Sequence, residues 1–211
     1  MSRTTRLSRG TEAIELGFVE REATPEFAMK LGIQVHLAGL SLSNTTSVLE
    51  ELGVERARST VHNWVHKADL QPGEDRSPNQ VAVDETMIRL NGTWHWLYMA
   101  VDPDTNDVLH TKLQPTRNHY TAKDFFRELV EKHDIDNSLF LVDGHASLHD
   151  ACRYYSLRFR MAKHGNRNSV ERVFREVKRR TQAFSNSFSN AHIRTADDWL
   201  KSFAFAWNML I

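Results

Sequence analysis

Apolar residues in the first third of the chain recur at the spacing of amphipathic helices. Positions 24–26 (TPE) combine an N-cap, a proline at the first helical position and an early acid, and they predict a helix over residues 25–38. A second helix is predicted over residues 43–52, where Gly53 ends it. A third follows the N-cap Ser59, and its apolar face repeats at i, i+3, i+4 and i+7 with Val61, Trp64, Val65 and Ala68.

Two helices joined by a glycine-containing turn form the pattern of a helix-turn-helix, which we predict within a domain over residues 1–70. Five polar side chains of the last helix and the turn before it would then face DNA: Arg58, Thr60, His62, Asn63 and Lys67. A three-helix bundle with no role in DNA binding fits the same pattern equally well. Residues 71–79 (QPGEDRSPN) hold two prolines and a glycine and predict a linker.

The hydrophobic period changes to that of strands after the linker. Strands are predicted over residues 81–90, 93–101 and 108–113, with Asn91-Gly92 as a tight turn between the first two. Helices over residues 121–132, 148–155, from 168 onward and over 196–210 alternate with strands over 138–142 and 157–162. This order predicts an α/β domain over residues 80–211, with a ribonuclease-H-like mixed five-stranded sheet flanked by helices.

Composition places the chain among ordinary globular proteins and adds one local feature. Formal net charge is zero, from 27 basic and 27 acidic residues, which argues mildly against phosphate binding. Between positions 160 and 180, however, eight Lys or Arg residues accompany only two acids, and such a basic strip either binds phosphate or forms a solvated helix face. No apolar run approaches the ~20 residues of a membrane span, so we expect no membrane partner and a cytoplasmic location, which the single cysteine suits.

Three carboxylates stand where acids are unusual or where ligands bind. Asp84 lies in the middle of a predicted strand, Asp143 follows the most apolar strand, and Glu171 lies on the helix that begins at residue 168. Each alone has an ordinary explanation: a solvated sheet face, a turn aspartate or a helix ion pair. Together, on two central strands and a helix that closes over them, they predict a catalytic site whose oxygen ligands would hold two Mg²⁺ ions, with Mn²⁺ as a substitute.

Glu171 has a rival in Glu176 on the same helix. Glu171 shares a stripe with cations at i+4 and i+7, so a lysine two turns from the acid is placed to hold phosphate. Glu176 points roughly 140° away from Glu171, and no basic residue follows it by seven positions. We therefore assign Glu171 to the site and Glu176 to a solvated face. Four cations of this helix are expected to contact DNA: Arg172, Arg175, Lys178 and Arg179.

Several segments of the chain resemble insertion-sequence transposases of the IS6 family. Residues 83–86 (VDET), with residues 91–102, resemble the first catalytic segment of that family, and residues 142–144 (VDG) resemble the second. Residues 168–172 (NSVER), with Lys178 seven positions after the glutamate, resemble the third. Residues 49–54, 59–61 and 64–65 are similar to the helix-turn-helix of the family, and the likeness covers about residues 27–208 and is nearest to short archaeal members.

The resemblance implies a DNA transposase that binds double-stranded DNA at terminal inverted repeats. It further implies Mg²⁺-dependent transfer of a 3′-hydroxyl end to target DNA by a homodimer or a higher multimer. Asp143 and Glu171 lie closer in sequence than the corresponding pair usually does in the family, so we expect a trimmed loop or helix between residues 150 and 168. Two other functions stay open: a DNA-binding relic or regulator with an inactive catalytic domain, and a ribonuclease-H-like nuclease that cuts DNA without joining it.

Overall fold

Two compact units make up the chain in the computed structural model, which describes residues 11–18, 24–162, 165–183, 188 and 191–210. One unit comprises residues 1–71 with 201–211, and the other comprises residues 72–200. Within the described ranges, no helix is long and apolar enough to cross a membrane.

Between residues 24 and 71, the first unit contains the helices α1 (Glu26–Leu37), α2 (Leu42–Glu51) and α3 (Arg58–Lys67). Leu49 of α2 and Trp64 of α3 are fully buried. They pack so closely on α1 that a Cβ added at Gly32 would lie 3.3 Å from a side-chain atom of each. A larger residue at this position of α1 would therefore require Leu49 and Trp64 to shift by a few tenths of an ångström.

The starts of two helices in this unit differ from the predicted ones. Helix α3 begins at Arg58 after the N-cap Ala57, so the predicted N-cap Ser59 lies inside the helix. Thr24 does not cap α1, because its Oγ1 accepts hydrogen bonds from Nε and Nη2 of Arg56 at 2.9 and 2.6 Å. A hydroxyl that accepts hydrogen bonds from a charged donor elsewhere in the fold is not available to accept from the N–H groups at the start of a helix.

The second unit has the alternation of strands and helices that the sequence predicts. Its elements are β1 (Gln80–Leu90), β2 (Thr93–Val101), β3 (Val108–Gln114), α4 (His119–Lys132), β4 (Leu139–Val142), α5 (Ala146–Tyr154), β5 (Arg158–Met161) and α6 (Asn168–Ala183). A final helix, α7 (Ile193–Leu210), starts in this unit, and its residues from 201 onward belong to the first unit.

The five strands form one mixed sheet in the order β3-β2-β1-β4-β5. Strands β1, β2 and β3 are antiparallel neighbours, whereas β4 runs parallel to both β1 and β5. Asn91 and Gly92 join β1 to β2 with φ values of +48° and +77°, the left-handed conformation of a tight hairpin turn. The predicted ribonuclease-H-like sheet flanked by helices is confirmed.

One face of the sheet packs against α4 and α5. The buried core there includes Val83 and Tyr98 from the sheet and Phe125 and Phe126 from α4. Helix α4 starts two residues earlier than predicted. The reason is Asn118, whose Oδ1 accepts hydrogen bonds from the backbone N–H groups of the first turn in a capping box.

Candidate active site

The pairing of β1 with β4 sets Asp84 beside Asp143. Ala82 lies opposite Leu141 in the parallel register, and each aspartate lies two residues further along its strand direction. Side chains alternate between the two faces of a sheet, so equal offsets from a paired position put both carboxylates on the same face. Both side chains are half-buried.

The two aspartates point away from the core on α4 and α5. Val83 and Val142, which immediately precede them, belong to that core, so the next residue of each strand faces the other side. Helix α6 packs against β1 and β2. The buried positions of α6 include Val173 and Val177, which lie outside the core on α4 and α5. The acids therefore lie on the face that α6 covers.

Two contacts fix the direction in which α6 runs along β1. Just before the helix, Asn166 Nδ2 donates to Gln80 Oε1 at 3.1 Å, at the start of the strand. Towards the end of the helix, Lys178 lines a cavity together with Ile88, near the end of the strand. Glu171 lies in the first turn of α6 and is exposed. It thus lies between the two contacts, alongside the central part of β1.

Backbone amides hold one oxygen of each aspartate. The N–H of Glu85 donates to Asp84 Oδ1 at 2.9 Å, and the N–H of His145 donates to Asp143 Oδ1 at 2.8 Å. These short local hydrogen bonds restrict the rotation of both carboxylates.

Two histidines stiffen the loop after β4. His149 Nε2 lies 2.7 Å from the carbonyl oxygen of Asp143, and His145 Nδ1 lies 2.7 Å from Ser147 Oγ. Burial, and then the nearby Arg117 guanidinium, lower the pKa of His145, so its imidazole is neutral at physiological pH. The His149 ring thus holds the backbone of the second acid, and the His145 ring contacts the first turn of α5.

The three predicted catalytic acids do not form a complete metal site. Within the described part of the chain, no three His, Cys, Asp or Glu side chains come close enough together to hold a metal ion. The register of β1 and β4 sets Asp84 and Asp143 at corresponding positions of neighbouring segments. Carboxylate oxygens are nevertheless the ligands that Mg²⁺ prefers, so the chemistry of the paired donors fits that ion.

Glu176, the rival acid on α6, is held by two cations. Arg179 donates from Nε and Nη2 to its two carboxylate oxygens at 2.8 and 2.6 Å, and Arg180 Nε donates to Oε1 at 2.8 Å. These hydrogen bonds lower the pKa of Glu176 to about 2. Arg180 is itself buried. This side of α6 is therefore partly packed, rather than the solvated face that the sequence predicts.

The predicted phosphate contacts on α6 form an exposed stripe. All four side chains are exposed: Arg172, Arg175, Lys178 and Arg179. Arg172 also donates from Nη1 to Asn106 Oδ1 in the turn between β2 and β3. The stripe places positive charge along the helix that carries Glu171.

Helix α3 has one apolar and one polar face. Its buried side chains are Val61, Trp64 and Val65. Of the predicted DNA contacts, Thr60 is half-buried and the rest are exposed, namely Arg58, His62, Asn63 and Lys67. The polar face is thus available on the surface of the first unit.

A buried ion pair lies behind the first acid, and the sequence patterns do not predict it. Glu85 follows Asp84 and points to the opposite face of the sheet, where its side chain has no exposed area. Arg117 Nη1 lies 3.1 Å from Glu85 Oε1, and the Arg117 guanidinium lies over the ring of Trp96 at 4.5 Å. The only sign of this ion pair in the sequence is that Glu85 is a second acid within a run of strand-forming residues. Nothing in the sequence around Arg117 indicates that it pairs with Glu85.

Known proteins with similar sequences are transposases or lack a described function. The family model described as a DDE domain (DDE_Tnp_IS240) matches residues 79–205. Uncharacterized protein MJ0017 of Methanocaldococcus jannaschii is 29% identical over 206 residues, which are 93% of this chain and 95% of that protein. The Staphylococcus aureus transposase for the insertion sequence-like element IS431mec is 28% identical over 99 residues, and the one for IS257 in transposon Tn4003 is 27% identical over 99 residues. Each of those matches covers 44% of this chain and 44% of the transposase.

Solved integrase structures match part of the chain at low identity. The catalytic core domain of BIV integrase matches 59% of this chain and 80% of its own, with 14% identity and a TM-score of 0.45. The catalytic core domain of HTLV-2 integrase in complex with magnesium matches 61% and 85%, with 13% identity and a TM-score of 0.45.

Proposed function

Because this chain belongs to the DDE-domain family of IS6 transposases, we propose that it binds the ends of a mobile element and cleaves and transfers their DNA strands with Mg²⁺. The observation that carries the proposal is the parallel register of β1 and β4, which sets Asp84 and Asp143 at equal offsets from a paired position on the sheet face that α6 covers. Both acids lie within the region that the family model matches. The IS431mec transposase is matched over 44% of its length, so its whole activity comes to this chain only as part of the proposal.

In this proposal Asp84, Asp143 and Glu171 hold the metal. When bound, Mg²⁺ would supply a lowered pKa for the attacking hydroxyl and charge stabilisation for the leaving oxygen. The amides of Glu85 and His145 keep the two aspartates oriented before substrate arrives, which lowers the cost of ordering them in the reaction. Glu171 would contribute its carboxylate from the first turn of α6.

Cations and the N-terminal unit supply DNA binding. The exposed stripe of α6 holds backbone phosphates near the acids, with Lys178 as a point charge two turns from Glu171. The polar face of α3 contacts the double-stranded ends of the element, as the second helix of a helix-turn-helix does. Joining two ends to one target requires at least two copies of the site, so the working form is a homodimer or a higher multimer.

The test is joining of a cognate DNA end to target DNA in the presence of Mg²⁺, with DNA binding measured in parallel. Asp84→Asn and Asp143→Asn should abolish joining and retain DNA binding, because each keeps the shape of the side chain and removes its charge. Asp136→Asn is the matched control, since Asp136 is exposed in the turn before β4. Joining by Asp84→Asn at the wild-type rate would refute the assignment.

Two results would favour the other functions. A wild-type protein that binds the end but neither cuts nor joins it, in Mg²⁺ or Mn²⁺, would be a DNA-binding relic or regulator. Cutting without joining would identify a nuclease.

A further inference from the structure

A cavity of about 390 Å³ lies between the β1–β2 hairpin and the second half of α6. Its volume falls within the ~300–1,000 Å³ typical of small-molecule sites. It is lined by Met87, Ile88, Arg89, Trp94, Lys178 and Thr181, all within one compact unit. None of the six is acidic, so an anion can enter without meeting a like charge from the walls.

The lining combines an aromatic surface with two cations. Trp94 is 56% exposed and Met87 is 45% exposed, although most large apolar side chains of this unit are buried. An indole left open in this way offers a flat face for stacking. Arg89 and Lys178 are also exposed. A purely apolar ligand would leave these two cations unused, and a lone phosphate would leave the indole unused, whereas a nucleotide uses both.

The position of the cavity relates it to the acids. Ile88 lies four residues beyond Asp84 on β1, about 13 Å along the strand. Lys178 lies seven residues after Glu171, about 10 Å along the helix. At about 3.4 Å per nucleotide along one DNA strand, these lengths correspond to three or four nucleotides. Arg89 and Trp94 lie on the sheet face of Glu85 and Tyr98, opposite to Asp84. A strand whose phosphate lies at the acids would therefore reach the indole around the edge of β1, which β4 covers only as far as Ala82.

We propose that this cavity binds one unpaired nucleotide of the DNA end, with its base stacked on Trp94 and its phosphates held by Lys178 and Arg89. The inference rests on the proposed function and adds that the end must be opened locally. In a duplex both faces of a base are covered by its neighbours, so only a base taken out of the stack can pack on the indole. Thr181 Oγ1 donates within its own helix, to the carbonyl oxygen of Val177 at 3.0 Å, so it does not read the base edge. Any base should therefore fit.

The experiment measures binding of a short oligothymidylate, and separately of a DNA end carrying 2-aminopurine at one of its first four positions. Both use the full chain with Asp84→Asn and no metal, so no step of the chemistry is needed. Trp94→Ala should weaken oligothymidylate binding about tenfold or more, and Trp94→Phe should restore most of it. Tyr154→Ala is the matched control, because Tyr154 is another exposed aromatic residue, on α5. 2-Aminopurine should be quenched at one position of the DNA end, and Trp94→Ala should remove that quenching.

The outcomes separate this proposal from the proposed function. Oligothymidylate binding that Trp94→Ala leaves unchanged, or 2-aminopurine that no position quenches, would overturn the cavity assignment even if the wild-type protein joins DNA. Trp94-dependent quenching in a protein that never joins DNA would support the cavity and refute the transposase. Trp94→Phe also guards against misfolding, since it retains a ring at the same place.

Discussion

Replacing Arg117 by methionine probes the buried ion pair behind the first acid. The side chain of Glu85 has no exposed area, whereas that of Arg117 is 26% exposed. Removing one partner of a buried pair typically costs about 3–5 kcal/mol, because the remaining charge stays in a poorly solvated place. Water can approach from the side of the arginine, so we expect a loss of about 3 kcal/mol, at the lower end of that range. The lost stacking on Trp96 adds about 0.5 kcal/mol.

The assay is urea unfolding of the wild type and the variant, with Arg127→Met as the matched control. Arg127 lies on α4, is 46% exposed, and pairs with Asp124 and Glu131 at 3.0 and 2.9 Å. Because exposed ion pairs contribute little, Arg127→Met should lower the free energy of unfolding far less than Arg117→Met does. The same chemical change at two arginines thus isolates the effect of burial.

Neutralising Glu85 should restore much of the free energy of unfolding that Arg117→Met loses. The double variant Arg117→Met/Glu85→Gln has no uncompensated buried charge and should recover more than half of the lost stability. In Arg117→Met alone, burial would raise the folded-state pKa of Glu85 above its unfolded value of about 4.3. A raised acid pKa favours the folded state at low pH, so the deficit should be largest at pH 7 and shrink as the pH falls towards about 4.

Two results would refute this reasoning. One is an equal loss of stability in Arg117→Met and Arg127→Met. The other is a double variant that is less stable than Arg117→Met, which would mean that the Glu85 carboxylate stabilises the fold without its arginine.

Two further variants test contacts on α6 and α3. Glu176→Gln removes the acceptor of Arg179 and Arg180. The lowered pKa of about 2 means that the stabilisation by the Glu176 carboxylate is complete above the unfolded pKa of about 4.3 and is lost as the pH falls towards 2. We expect urea unfolding to show a deficit of about 1–2 kcal/mol at pH 7 that disappears near pH 2, and a deficit that does not change with pH would contradict this. Lys67→Ala should weaken DNA binding for all sequences and reduce the slope of log K against log salt by about 1, measured by fluorescence anisotropy. If the slope is the same as for the wild type, α3 is not part of the DNA interface.

Local patterns in the sequence predict most of the second unit. The alternation of residues 81–101 and the Asn91-Gly92 turn identify a hairpin whose strands the structure places at Gln80–Leu90 and Thr93–Val101. The ends of helices are harder to predict from the sequence, because capping depends on which donor a side chain contacts in the folded protein. Asn118 caps α4 through its own backbone neighbours, whereas Thr24 is taken by Arg56 from a distant segment.

The sequence identifies the individual residues of the candidate site, but it does not predict their positions relative to one another. Each acid is conspicuous in its own segment, yet the alignment of Asp84 with Asp143 depends on the register between strands that lie far apart in the chain. The burial of Glu85 depends in the same way on a loop arginine 32 positions later. Tertiary pairing of this kind leaves no periodic signal in either segment.

The alternation of aromatic residues in β2 predicts burial correctly for only part of the strand. Trp94, Trp96 and Tyr98 share one face of β2, and their alternation alone predicts that all three pack in the core. Tyr98 is fully buried, Trp96 packs at the edge of the core, and Trp94 is exposed. Strand β4 pairs with β1 only at its first residues, from Gln80 to Ala82, so the tip of the hairpin extends beyond its neighbour. Periodicity identifies the residues that share a face of a strand, but it does not show how far along the strand other elements pack against that face.

The division of helix α7 has a consequence for the order of events during translation. Residues 201–211 belong with residues 1–71 in one compact unit, and Phe203 and Ala204 are buried. A nascent chain folds from its N-terminus as it leaves the ribosome. Here helices α1, α2 and α3 must wait for residues 201–211 to be synthesised before their unit is complete. A fragment that stops at residue 71 should therefore be prone to aggregate, and adding the peptide of residues 193–211 should rescue it.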